Sequence, residues 1–387
     1  MSAFLLRPMA LGESFTILSI AFMLVALVCF FINNQTILLN TVSIRNLAIG
    51  IYTIFIWIYL VIQSICFGAN KPHYLFSALV TFTSVMLVYS LILSDRDINL
   101  KFFVFIRTVI IFFILSYFTT LIVSFIIPLD HMHLFDIKTS STVDYSDKWG
   151  GVYFPLTPAY GITKILGMPF FRSPGPFREA GIFQAFIVWA YFSIRGSGKR
   201  EFCLRTVLIL GLFASYSTAG IVIFGLTSTV SILFNISSAV KLKVIFKEIL
   251  AILMVISSLL FIFLYMPIFG LIDKLGKAQA SVSDRVEATY NGLLLLVNNP
   301  LGIGYFNSND PRIGVNFISA TGLIGIPGLI LFLFLVILSI FLLHNKKQRK
   351  QYVILMMPFF LTALFSQPFI DAPFVYVMLL QSINGDS

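Results

Sequence analysis

Charge is what this chain has least of. Only 11% of its 387 residues are Asp, Glu, Lys or Arg, against about 25% in an ordinary soluble domain. Acidic residues are the scarcer half, with 16 Asp and Glu against 26 Lys and Arg. Cysteine is scarce too: Cys29, Cys66 and Cys203 stand apart with no metal-ligand spacing, and they build no disulfide framework. A Gly-rich Walker loop, an aspartate-rich metal motif and a Gly-x-Ser-x-Gly elbow are all missing. Their absence argues against ATP as driver, against a metal-held nucleotide sugar and against a serine hydrolase. Neither a solenoid repeat nor a low-complexity linker is found.

Apolar residues fill the space that charge leaves. They make up 58% of the chain, mean hydropathy is +0.96, and 42 residues are Phe. A soluble globule of this composition would expose large apolar patches. Runs near 20 apolar residues are long enough to cross the hydrocarbon of a bilayer. Such runs are expected at 14–32, 47–67, 75–94, 102–127, 180–194, 204–216, 221–238, 249–270, 322–343 and 352–367, with a short one at 374–381. The expectation is one all-α, polytopic integral membrane domain over residues 1–387, with about 10–12 transmembrane helices. The net charge of +10 gathers in short links, such as Lys199-Arg200 and Lys346 to Lys350. That is a positive-inside pattern and excludes a nucleic-acid surface. With Lys346 to Lys350 cytoplasmic, the two long polar stretches, 128–178 and 273–321, fall together on the extracytoplasmic side. Arg45 and Lys71 leave the side of Met1 open.

Chemistry should sit in those two loops, where ionisable groups meet water. The first ends Phe171-Arg172-Ser173-Pro174-Gly175-Pro176-Phe177-Arg178-Glu179, a rigid turn before a helix. A helix start attracts anions through its unpaired N–H groups and suits Glu179. Arg178 opposes the dipole there. It reads either as a bidentate grip on a phosphate or as an interfacial arginine on lipid headgroups. In the second loop, residues 285–297 read as a helix with an apolar face, and Arg285 and Glu287 read as site residues or as its solvated side. Asn298-Asn299-Pro300-Leu301-Gly302-Ile303-Gly304 reads as a turn in which glycine permits close backbone approach. His131 and His133 form a His-x-His pair without a third ligand nearby, and read as surface histidines. Asp371, between Pro368 and Pro373, reads as a functional carboxylate or an interfacial turn.

These residues resemble a family. Arg178-Glu179-x-Gly181-x-Phe183 at the start of a span is similar to a pattern in bacterial O-antigen polymerases. Ser283-x-Arg285, Asn299-Pro300-Leu301-Gly302-x-Gly304 and Gly322-Leu323-Ile324-Gly325 resemble the wider O-antigen polymerase and ligase superfamily. So does the Ser217-Thr218-Ala219-Gly220 turn between two short helices. The resemblance covers roughly residues 100 to 380. It implies a metal-independent, inverting glycosyltransferase of lipopolysaccharide or related polysaccharide synthesis, needing no cofactor, in the multi-pass inner membrane of a bacterium. Its substrate would be an oligosaccharide on undecaprenyl pyrophosphate, and its partners membrane lipids and a chain-length regulator. The resemblance places Arg178 and Arg285 on the pyrophosphate. Arg172, Arg312, Asn299 and Tyr305 would support pyrophosphate and glycan, and Glu179 or Glu287 would act as base. Ligases carry a His shortly before the Gly-Leu-Ile-Gly segment. Here Pro311, Arg312, Val315 and Asn316 stand there. This favours a polymerase over a ligase and leaves the base unassigned. A lipid-linked oligosaccharide flippase or small-solute transporter is the rival from another class. It should line its helices with basic residues and show internal repeats, and the sequence shows neither pattern.

Overall fold

A computed structural model of the chain describes residues 1–12, 15–33, 43–68, 72–137, 151–165, 168–236, 279–307 and 314–383. The expected span at 249–270 and the candidate Arg312 lie outside them. The described chain is mostly helical. Its helices are α1 (Thr16–Asn33), α2 (Ile44–Cys66), α3 (Pro72–Ile92), α4 (Arg96–Val123), α5 (Ala180–Ser193), α6 (Lys199–Ala214) and α7 (Thr218–Ile236). They continue with α8 (Gln279–Asn298), α9 (Phe317–Phe341), α10 (Lys346–Phe365) and α11 (Pro373–Met378). Four of them, α2, α3, α4 and α9, are long and apolar enough to cross a membrane.

Side-chain caps mark the starts of two of these helices. The apolar run beginning at 102 is preceded by polar residues that still join α4, because the Asp95 carboxylate accepts from the Ile98 N–H at 2.9 Å. Helix α9 likewise starts at Phe317. Asn316 Oδ1 accepts from the Ser319 N–H at 2.7 Å, and Ser319 Oγ accepts from the Asn316 N–H at 3.1 Å.

The chain divides into two compact units. One comprises Met1–Ile106, Ser283–Tyr352 and Ala363–Ser387; the other comprises Arg107–Val282 and Val353–Thr362. In the first, α2 packs against α3 and α9. Gly50 allows a close approach to Ser90, and the rings of Trp57 and Phe82 stack. Arg45 is buried at one end of this unit. Its guanidinium donates to the carbonyls of Ser339, Leu379 and Gln381 at 3.1–3.3 Å and lies 4.6 Å from the Tyr352 ring centroid. Asn46 and Asn99 donate to the Leu380 carbonyl, and Tyr352 donates to that of Leu379. A buried charge is tolerable where its donors find acceptors, and here the Ser339 carbonyl of α9 and the Leu379 and Gln381 carbonyls after α11 supply them.

In the second unit α5 is the central post. Ten of its 14 residues are buried, as expected of a helix apolar all round. It packs on α6 and α7, and Phe186 meets Phe359 edge-on at 4.8 Å. The first large loop departs from the all-helical expectation. It forms a three-stranded antiparallel sheet of β1 (His133–Asp136), β2 (Gly151–Tyr153) and β3 (Thr157–Pro158), then a hairpin of β4 (Tyr160–Ile165) and β5 (Met168–Arg172). An apolar cluster roots the loop on the helices: Tyr117, Leu129, Met132, Tyr153, Ala159, Phe171 and Ala214, with Tyr216 packed against it.

Candidate functional site

The start of α5 is built by its sequence. Pro174 and Pro176 fix their φ angles and withhold N–H groups, so the chain turns here instead of continuing as strand or helix. Phe177 N–H closes the turn on the Pro174 carbonyl at 3.1 Å. Gly175 has φ +56°, and a Cβ there would strike the Phe183 ring. Phe177 is fully buried and stacks on Phe186 at 4.3 Å. That anchor presents the next two residues at the head of the helix. Glu179 is the N-cap residue, extended at φ −142°, with no side-chain cap bond. Its carbonyl accepts from the Ile182 and Phe183 N–H groups. Arg178 is half-buried, with its Nε shut off from solvent.

Arg172, at the end of β5, reaches the turn between α6 and α7. Its Nη2 donates to the Tyr216 carbonyl at 2.9 Å, and the Ser173 N–H donates to the Ala214 carbonyl at 3.4 Å. Tyr216 holds φ +48°, the left-handed region that a bulky residue enters only under constraint. Burial pushes its phenol up, and a hydrogen bond with Tyr117 offsets part of that. Two features that the sequence placed far apart, the Arg-bearing strap and the Ser217-Thr218-Ala219-Gly220 turn, are therefore joined. Helix α7 begins inside that turn, at Thr218. Gly220 faces Gln184 of α5, whose carboxamide is fully buried with neither of its polar atoms hydrogen-bonded among the described residues. Gln184 was missed from sequence. Its signal was a carboxamide in an apolar run.

The second loop's residues belong to the other unit. Glu287 is exposed on α8. Arg285 lies on the same helix by its backbone, and its side chain falls outside the described residues. Two glycines let α8 touch the first half of α9: a Cβ at Gly292 or Gly322 would run into the backbone of the other helix. Asn316 Nδ2 donates to Thr289 Oγ1 at 2.9 Å and pins the same pair.

The Asn-Pro-Leu-Gly-x-Gly turn and the Gly-Leu-Ile-Gly segment prove to be one structure. Helix α9 breaks at Gly325 (φ +69°, ψ 178°), two residues before Pro327. The break frees donors and acceptors, and the turn supplies partners. Ile326 N–H donates to the Pro300 carbonyl at 2.8 Å, and Gly304 N–H to the Leu323 carbonyl at 3.1 Å. Gln63 of α2 donates through Nε2 to the carbonyls of both Leu301 (2.6 Å) and Ile324 (2.9 Å), and Tyr59 Oη donates to that of Ile324. Gly302 (φ +78°) and Gly304 (φ +92°) pass close to α2 and to the break. Asn299 is exposed; its N–H donates to the Leu295 carbonyl of α8, and its carbonyl accepts from the Gly302 N–H in the turn. Tyr305 is half-buried, edge-on to Phe306 at 5.1 Å.

Of the smaller candidates, Asp371 forms an ion pair with Arg7 at 2.9 Å. His131 is exposed, while the ring of His133 turns to Asp136. Among the described residues no three His, Cys, Asp or Glu side chains gather as a metal site. No known protein family matches this chain, and no characterised protein matches it.

Proposed function

We propose that this chain is a polytopic membrane glycosyltransferase that polymerises a surface polysaccharide. It would move the growing glycan from undecaprenyl pyrophosphate onto the sugar of a new lipid-linked repeat unit, at the outer face of a bacterial inner membrane. The observation that carries the reading is the head of α5. There Arg178 stands half-buried at a helix N-terminus, on a turn held by Pro174, Pro176 and the Phe177–Phe186 stack. The adjacent strap, through Arg172, is bonded to the α6–α7 turn. Guanidinium groups fixed in such a place lower the cost of charge building on a departing pyrophosphate, because the donors are already oriented when the bond breaks. The apolar composition and the long helices suit a substrate that never leaves the bilayer.

The test is the surface-polysaccharide ladder of the source strain with this gene deleted, then complemented. A polymerase leaves lipid carrying a single repeat unit. A ligase leaves long lipid-linked chains that are never attached. A transporter leaves no extracytoplasmic units. Complementation with Arg178→Ala should restore the protein in the membrane and not the ladder, with chain growth reduced by about 100-fold or more. A normal ladder with that variant removes Arg178 from the site.

A further inference from the structure

We infer that His133, oriented by Asp136, is the acid–base group of the first loop; this rests on the polymerase reading above. The two side chains share an edge of the three-stranded sheet, with His133 Nε2 2.9 Å from Asp136 Oδ1. Their meeting is not the default of a strand. Residues three apart point to opposite faces of a regular strand. Here the pairing register shifts between His133 and Phe135: His133 lies opposite Tyr153, yet Phe135 lies opposite Val152 and Asp136 opposite Gly151. The extra residue is a bulge, the device that re-aims a side chain. It brings imidazole and carboxylate to the same side.

The neighbours fit that arrangement. Asp136 pairs across the sheet with Gly151, where a Cβ would collide with the His133 ring and crowd Asp136 Oδ1. Tyr153 meets the ring edge-on, with centroids 5.7 Å apart. The groups facing the imidazole are thus Asp136 on its own strand and Tyr153 on β2. Asp130 is close enough to Tyr153 to help burial and Asp136 push that phenol up. Tyr153 is rooted in the apolar cluster that also holds Phe171 and packs Tyr216. Phe171 precedes Arg172, and Arg172 holds the Tyr216 carbonyl. The dyad and the strap arginine therefore stand on one platform.

Hydrogen bonding to the carboxylate fixes the tautomer: Nε2 carries the proton, and Nδ1 presents a lone pair. Nδ1 has no hydrogen-bond partner among the described residues, and the side chain is 38% exposed, so it is reachable. In the proposed reaction the acceptor hydroxyl attacks the anomeric carbon. Its proton passes to His133 Nδ1 as the new C–O bond forms. The old bond to pyrophosphate breaks with its electron pair, and the charge leaves on the lipid pyrophosphate. The proton then returns to water. Imidazole is suited to this because one ring nitrogen can be held by the carboxylate while the other offers its lone pair to the hydroxyl proton.

The test complements the deletion strain with His133→Gln, Asp136→Asn and, as control, His131→Gln. Membranes are assayed for chain growth on lipid-linked repeat units extracted from the deletion strain. His133→Gln should cut kcat by about 100-fold or more with KM little changed, and should flatten the acid limb of the pH–rate profile relative to the wild type measured alongside it. Asp136→Asn should lose less and move the pH profile. His131→Gln should match the wild type. Wild-type rate and pH profile in His133→Gln, with Arg178→Ala inactive, would overturn the dyad and leave the polymerase reading standing. Failure of the wild type itself to extend chains would overturn both.

Discussion

The head of α5 and the break in α9 are made of the same materials: glycine at positive φ, a proline, and a helix end held within an apolar surround. They spend their polar groups differently. At the α9 break the donors of Gln63, Tyr59, Gly304 and Ile326 are consumed by carbonyls that the broken helix and its turn expose. At the head of α5 the turn is closed by backbone and aromatic packing, and Glu179 makes no cap bond with its side chain. A motif whose polar atoms satisfy its own backbone is architecture. At the head of α5 the turn instead presents two charged side chains, Arg178 and Glu179, at a helix start. The glycine motifs of the second loop hold the fold, while the substrate role proposed for Arg178 is a separate matter that variants can test.

That contrast can be broken by measurement. Gly325→Ala should have the largest effect on the protein itself. Its φ and ψ are ones that only glycine holds easily, and a Cβ would strike the backbone of Leu301. The cost should be about 3 kcal/mol or more, read as loss of folded protein from the membrane. Arg178→Ala should leave that abundance unchanged while the ladder disappears. If both variants lose abundance alike, the division between architecture and chemistry fails. Gln63→Leu comes next. It withdraws one donor shared by two carbonyls, and Tyr59 still serves Ile324, so about 1–3 kcal/mol is expected. The readout is a lower melting temperature in detergent, with the ladder shortened only as far as the protein is depleted. The smallest effect belongs to Arg7 and Asp371. Their side chains are each 28% exposed, and a double-mutant cycle should couple them by under about 1 kcal/mol.

Much of the helical framework was legible, because apolar runs of span length and a basic link leave few other solutions. Residues 285–297, read as a helix from their apolar face, lie within α8. The close backbone approach read from Gly302 and Gly304 is there, though what they approach was not legible: Gln63 stands 238 residues before its Leu301 partner. The β structure of the first loop left no period to find. Its strands are 2–6 residues long, and the bulge at β1 spoils the alternation that would have marked it. His133 was read as a surface histidine, and it is exposed. What sequence could not reveal was Asp136 beside it, because three residues apart means opposite faces until a bulge intervenes. Arg172 was read as a substrate-supporting residue of the first loop; its carbonyl partner, Tyr216, lies two helices further along the chain.

Arg45 carries a consequence for how the molecule is made. It emerges from the ribosome 334 residues ahead of the Leu379 carbonyl and 336 ahead of that of Gln381. Until those arrive, its guanidinium lacks two of the carbonyls that receive it in the finished fold. The early helix waits for the late one. A ribosome that stalls before Leu379 would release a chain whose second helix still displays an unmet cation, a plain signal of incompleteness to any protease that surveys the membrane.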